Sequence, residues 1–203
     1  MDHICVIHSP ARTDREALLR QEVASQGLQW SDIELRPAIF EGSPATGISK
    51  AHRAVVAHAK AQGWPSVAIW EDDIMFTHPT SWARYKAIAA QLPPDWDLYF
   101  GGASSWPGSP RKLGPPANAP QLIGPAGQDI SGAHCYTVNA KFYDKFLGAP
   151  NDTHIDRWFV KRGKAKSYAC WPFVAMQHNG YSDQQKRVLS FESLNNKFQL
   201  WTG

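Results

Sequence analysis

The segment SVAIWEDDIMF, residues 66–76, constrains this chain more than any other. Val67, Ala68, Ile69 and Trp70 run directly into Glu71, Asp72 and Asp73, and Ile74, Met75 and Phe76 follow at once. A short apolar run of this kind reads as a buried strand. In extended backbone, successive side chains alternate, so Glu71 and Asp73 face one way and Asp72 the other. Open α/β folds bind ligands at the C-terminal edge of their sheets. Carboxylates converging there are hard oxygen donors that suit Mg²⁺ or Mn²⁺, and a divalent cation would relieve their repulsion. The plain alternative is a surface turn or a helix N-terminus, where acids are favoured. The immediate return to apolar sequence weighs against it.

The surroundings support an α/β reading. Ile4–Ile7 reads as a first strand, His8–Arg12 as a loop, and Asp14–Ser25 as a helix closing near Gly27. Ile33–Ile39 is a second strand interrupted by Pro37. Ser49 is placed to cap a helix that Gly63 ends, with His52, Val55, Val56 and Ala59 on one face. Ser81–Leu92 reads as a helix stopped by Pro93 and Pro94, and Asp97–Phe100 as a strand ending on two glycines. Residues 103–128 hold six Pro and four Gly, the composition of a functional lid or a disordered insertion, with Trp106 inside it. Beyond them come a strand over 130–139, a helix over 140–148, a helix over 153–162 capped by Asp152 or Thr153, and a strand over 166–177. Strands alternating with helices predict a single α/β domain over 1–203 with a mixed sheet.

The 203 residues suffice for one real core. A formal charge of +3 is too small to argue for nucleic acid, though it suits an anionic small ligand or a glycolipid surface. No apolar run is long enough to span a membrane, and the N-terminus lacks the pattern of a signal peptide. Cys5, Cys135 and Cys170 are widely spaced and form no CxxC, which reads as buried thiols in a reducing compartment.

The segment GISKAHRAVVAHAKAQGWPSVAIWEDDIMF resembles the core of glycosyltransferase family 25, the lipopolysaccharide and collagen galactosyltransferase type. The matching residues are Gly47, Ser49, His52 and Glu71-Asp72-Asp73; the family often has Ser-His directly, and here two residues intervene. DWDLYFGG, ISGAHCYTVNAKFYDKFL, HIDRWF and FVAMQHNGYSD resemble further family segments in the same order, so that the resemblance spans most of residues 1–183.

The resemblance implies a GT-A fold, a Rossmann-like mixed sheet flanked by helices, with the acids as the DXD-like motif. It implies Mn²⁺ (or Mg²⁺) held by Glu71, Asp73 and a late histidine, His178, with Asp72 on ribose or metal. It places the donor, a UDP-sugar, against Ile7, His8, Ser9 and Arg12, with Ser131, Gly132 and His52 facing donor or acceptor. Arg15 stands with Arg12 as a phosphate partner, with solvation the alternative for both and the stronger one for Arg15, which lies inside the helix. An inverting transfer needs a carboxylate to take the acceptor's hydroxyl proton. Asp156 in HIDRWF fits that role, with Asp129 and Asp152 as rivals, Asp152 being the better cap.

The activity so implied is transfer of a hexose, galactose first, from a UDP-sugar to a saccharide or glycolipid acceptor in lipopolysaccharide or surface-glycan synthesis. The enzyme would be cytoplasmic, with peripheral contact at the inner face of the membrane. Two other readings stay open: a nucleotidyltransferase or metal phosphohydrolase using the same acids, although no P-loop is present, and a degenerate nucleotide- or glycan-binding module.

Overall fold

The computed structural model describes residues 3–103, 121–122, 131–182, 186–190 and 200–203. The first strand, β1 (Ile4–His8), leads through helix α1 (Thr13–Ser25) to β2 (Ile33–Pro37), which pairs with it in parallel. Helix α2 (Pro44–Ala61) then crosses back and delivers β3 (Ser66–Glu71) to the opposite side of β1, again in parallel. The strand order therefore reverses between β1 and β3, and a crevice opens at their C-terminal ends. In the register of that pair Ile7 lies opposite Glu71. The acids consequently emerge beside His8 and Ser9.

The chain turns at Asp72 and Asp73 into β4 (Ile74–Phe76), passes through α3 (Ser81–Ala89), and re-enters the sheet as β5 (Leu98–Phe100). The edge strand β6 (Gln121–Leu122) precedes β7 (Cys135–Asn139), which runs antiparallel to both β3 and β5. Helices α4 (Tyr143–Leu147) and α5 (Ile155–Lys161) follow, then β8 (Ser167–Ala169), which pairs in parallel with β5 and antiparallel with β6. The order across the sheet is β2-β1-β3-β7-β5-β8-β6. Two short antiparallel pairs stand apart from it: β4 with β9 (Ala175–Gln177), and β10 (Gly180–Ser182) with β11 (Arg187–Leu189).

The expected architecture, a mixed sheet flanked by helices, is present. Strand β3 shows why its sequence is apolar throughout. Val67 and Ile69 pack on one face, with Val55, Val56 and Ala59 of α2 and Phe159 of α5. Ala68 and Trp70 pack on the other, with Leu19 and Val23 of α1 and Tyr85 of α3. Trp70 is fully buried, edge-on to Trp82 at 5.0 Å and to Phe76 at 5.2 Å between ring centroids. Burial of an aromatic side chain of this size dominates local packing energy. The three cysteines are free and buried, as the sequence led one to expect.

Several element boundaries differ from the sequence reading. Helix α2 starts at Pro44, not at Ser49: the Ser43 hydroxyl accepts the Thr46 N–H at 3.2 Å, with Pro44 at the first helical position. Ser49 lies a turn further on, fully buried, its hydroxyl facing the Pro150 carbonyl at 3.4 Å. Gly47 masked this start because glycine reads as a loop, yet here it permits a close approach. A Cβ on it would collide with the Ile39 carbonyl oxygen. The helix does end at Gly63, whose N–H bonds to Lys60 O while that of Trp64 bonds to Ala59 O.

The strand expected over 166–177 is two, β8 and β9, because Pro172 has no N–H to continue a ladder. Helix α5 begins at Ile155 with His154 at its N-cap, so neither Asp152 nor Thr153 caps it. Most of the Pro- and Gly-rich segment 103–128, including Trp106, lies outside the described residues, as does Asp129. Among the described residues, no helix is long and apolar enough to cross a membrane.

Replacing Gly47 by Ala forces α2 away from the Ile39 backbone. The expected loss is about 1–3 kcal/mol, the range for overpacking. Thermal melting of the variant reads this as a fall of roughly 2–4 °C per kcal/mol for a domain of this size. An unchanged melting temperature would show that the contact yields freely.

Candidate active site

A cavity of about 640 Å³ opens in the crevice between β1 and β3. It is lined by the end of β1 (Ile7, Ser9), the start of α1 (Arg12, Arg15), the acids 71–73, Ser131–Ala133 before β7, Asp156 of α5, and Gln177 and His178 at the end of β9. His52 reaches it from α2, and Ile39 and Phe40 form an apolar side. Of the site residues expected from the sequence, Ile7, Ser9, Arg12, His52, the acids 71–73, Ser131, Gly132, Asp156 and His178 line this cavity, whereas His8, Ser49 and Asp152 do not. Phe40 is 71% exposed, a large apolar side chain left open to solvent beside a polar site.

Asp72 does not alternate with Asp73 as expected of extended backbone, because both lie in the turn after β3 and one Arg15 nitrogen reaches each. Asp72 is buried, and three donors meet it: His8 Nδ1 at 2.9 Å, Arg15 Nη1 at 2.6 Å, and the Ser9 N–H at 3.5 Å. His8 thus stands behind Asp72 rather than at the cavity wall, its Nε2 facing Glu16 at 3.7 Å. Arg15 is not the solvated residue that its place in the helix favoured. It reaches over the turn to Asp73 as well, at 3.4 Å, and donates to the Tyr181 carbonyl at 3.0 Å. Burial disfavours its charge, but Asp73 and Asp72 outweigh that and hold its pKa above the ordinary value. The sequence pattern missed this because Arg15 lies in a helix whose buried contacts are few, Leu19 and Val23. Its signal in the sequence was its place in the first turn of the helix that follows β1, close behind Arg12. Arg12 also donates to Tyr181 O, at 3.3 Å, and pairs with Asp14.

Glu71 and Asp73 form the other half. Gln177 Nε2 lies between them, 3.3 Å from Glu71 Oε2 and 3.4 Å from Asp73 Oδ1. Glu71 is further held by His52 Nε2 at 3.3 Å, and His52 Nδ1 meets the Tyr136 hydroxyl at 2.7 Å. Burial pushes the Tyr136 phenol well above its ordinary pKa, so it keeps its proton and donates to Nδ1. That bond sets the tautomer, leaving the Nε2 hydrogen for Glu71. His134 lies close by, buried and held neutral by that burial against the pull of Glu71. Burial also works against ionised Glu71, yet the His52 hydrogen bond, with the Arg15 charge beyond, holds its pKa below the ordinary value. Asp73 goes the other way. Burial and the adjacent Glu71 charge, with Asp72 adding to them, raise it from 3.8 to about 7. The two carboxylates thus form a pair in which Asp73 carries the last proton.

Among the described residues, no three His, Cys, Asp or Glu side chains converge on one point. Two neighbouring carboxylates, Glu71 favouring its charge and Asp73 its proton, nevertheless fit a hard cation of the Mg²⁺ or Mn²⁺ kind, which takes one or two carboxylates and completes its shell with phosphate and water. His178 is not brought onto that pair. Its ring bonds to Glu22 of α1 at 3.0 Å, while its N–H fixes the Asp73 carbonyl at 2.7 Å. Across the cavity, Asp156 accepts the Gly132 N–H on Oδ2 at 2.9 Å and the Arg157 N–H on Oδ1 at 2.8 Å. Gly132 has φ of 96°, a left-handed conformation that glycine adopts without strain. That turn takes Ser131–His134 out of the strand expected there and aims the amide at Asp156.

The fold is one already seen elsewhere. Over 93% of this chain and 93% of the other, it is similar to the crystal structure of A197 from STIV, with a TM-score of 0.50 at 10% identity. A glycosyltransferase involved in the glycosylation of the major capsid of PBCV-1 is similar at a TM-score of 0.48 and 10% identity, over 82% of this chain and 80% of that one. Mouse xyloside xylosyltransferase 1, in its apo form, is similar at 0.41 and 9% identity, over 81% and 77%. At such identities the likeness concerns the fold alone. No protein-family model and no curated protein matches the sequence.

Two predictions follow from the electrostatics. Between about pH 4 and 7 the folded chain holds a proton on Asp73 that the unfolded chain has released, so stability falls as pH rises through that window. Asp73→Asn resembles the protonated acid and lacks this fall. Its melting temperature relative to wild type should climb by several degrees from about pH 5 to about pH 8; a difference independent of pH would contradict the raised pKa. Arg15→Ala leaves Asp72 buried with one partner fewer and is expected to cost about 3–5 kcal/mol. Arg12→Ala, whose partner Asp14 is 65% exposed, should cost no more than about 1 kcal/mol. Equal losses in denaturant unfolding would refute the distinction.

Proposed function

We propose that this chain is a metal-dependent glycosyltransferase of the family 25 type. It would move a hexose, galactose first, from a UDP-sugar to a saccharide hydroxyl, with inversion at the anomeric carbon. The observation that carries this reading is the single cavity that gathers an acidic pair, two arginines and a separate carboxylate. These are the groups needed to hold a diphosphate and to accept a proton. The order of motifs along the chain supports it independently.

In this reading Glu71 and Asp73 hold Mn²⁺ or Mg²⁺. A divalent cation there supplies Lewis-acid stabilisation of the charge on the departing diphosphate. Arg12 and Arg15, which both donate to Tyr181 O in this structure, lie on the same side and are suited to pair with phosphate oxygens. The ends of β1 and β2, with Ile39 and Phe40, offer the apolar surface that a nucleoside requires. Asp156 is held by two backbone N–H groups and takes the acceptor hydroxyl proton as that oxygen attacks the anomeric carbon. The bond from that carbon to the diphosphate oxygen breaks as the new glycosidic bond forms, and UDP departs with the electron pair. The acceptor is a lipopolysaccharide or other surface glycan, reached by peripheral contact at the inner face of the membrane.

The test joins binding to turnover. UDP with Mn²⁺ should raise the melting temperature, since a ligand selective for the native state stabilises it. Asp156→Asn should keep that shift while transfer falls by roughly 10²–10⁴-fold, the range for loss of a general base. Full activity in the variant would remove Asp156 from the mechanism. Release of pyrophosphate or inorganic phosphate in place of UDP would turn the reading toward a nucleotidyltransferase or phosphohydrolase.

A further inference from the structure

The geometry points to Gln177 as a ligand of the divalent cation, the place in the shell where the sequence suggested His178. This rests on the cation reading of Glu71 and Asp73 given above. Three observations carry it. The Gln177 carboxamide sits between the two carboxylates, with Nε2 at 3.3 Å from one and 3.4 Å from the other. It occupies the position that a shared cation needs, and its NH₂ group supplies positive hydrogens in the cation's stead. Its backbone is also fixed to that of the acids. Gln177 pairs with Ile74 in the β4–β9 ladder, and the adjacent His178 N–H bonds to the Asp73 carbonyl at 2.7 Å. The backbone that carries the carboxamide is therefore tied to that of Asp73. Finally, the His178 ring is engaged by Glu22 at 3.0 Å, and Glu22 is itself fixed by the Phe76 N–H at 2.9 Å.

An amide has two unlike ends, a donor nitrogen and an acceptor oxygen. When a cation enters between Glu71 and Asp73, a half-turn about the last side-chain torsion takes the nitrogen away and brings Oε1 to the ion. Amide oxygen is a hard donor of the kind that Mn²⁺ and Mg²⁺ accept. Gln177 thus holds the place of the cation in its absence and coordinates it when present, without a change in backbone.

Direct Mn²⁺ binding, read from the paramagnetic signal of the free ion in the full chain without donor, tests this. Gln177→Met keeps the length but offers only a soft thioether, and it should weaken Mn²⁺ binding by about ten-fold or more. Gln177→Glu keeps an oxygen at the same reach and should bind Mn²⁺ at least as tightly as wild type. In wild type, Mg²⁺ should shift the side-chain carbonyl carbon of Gln177 in the NMR spectrum, its resonance assigned by its loss in Gln177→Glu. Wild-type affinity or tighter in Gln177→Met overturns the inference, because a mere placeholder competes with the ion and its removal would help binding. Weaker binding in Gln177→Glu overturns it too, as does an unmoved carbonyl carbon with Mg²⁺ bound. Wild-type protein that binds no Mn²⁺, with or without UDP, sinks the cation reading itself and this inference with it.

Discussion

The site depends on one buried carboxylate. Asp72 is met by His8 from the end of β1 and by Arg15 from α1, and these bonds pull the turn after β3 inward against the sheet edge. A buried charge without partners is prohibitively costly, so the turn can adopt this position only while both partners stay. With Asp72 anchored, the turn is held where Glu71 and Asp73 both reach Gln177. The anchor thereby fixes the position of the functional acids.

A second consequence of that anchor is electrostatic. Arg15 lowers the cost of charge on both Asp72 and Asp73, yet Asp73 retains its proton to about pH 7 because burial and the Glu71 charge together outweigh it. Glu71 in turn stays ionised through His52, which the Tyr136 phenol orients. One carboxylate is thus kept charged by a hydrogen-bonded relay, and its neighbour is left to respond to whatever enters the cavity. Adjacent groups with opposed environments are a recurrent mark of functional sites.

Much of this was legible in the chain. The apolar run of β3 ending in acids and the order of strands and helices follow from local periodicity; the alternation expected at Asp72 does not hold, because the strand ends at Glu71 and the chain turns. What was not legible depends on distant approaches. Gly47 inside α2 reads as a loop until the Ile39 backbone is seen against it. Arg15 reads more readily as a solvated helix residue until Asp72 is brought within 2.6 Å of it. Gln177 stands in FVAMQHNGYSD, one of the segments that carry the family resemblance, but the sequence assigned it no role; its place comes from the β4–β9 ladder. His178 was read from motif order, and one residue of difference along that ladder turns its ring toward Glu22 instead.

The insertion of β7, antiparallel between β3 and β5, has a further effect on how the molecule comes together. The contacts that make the site join residues far apart in the chain: 57 positions for Arg15 and Asp72, 84 for His52 and Tyr136, 104 for Asp73 and Gln177. Such separations make loop closure slow and put the site among the last features to form. A ligand that needs both carboxylates, Arg15 and the segment after β9 finds no partial version of its site on a half-folded chain. Its binding energy therefore acts on the folding equilibrium as a whole.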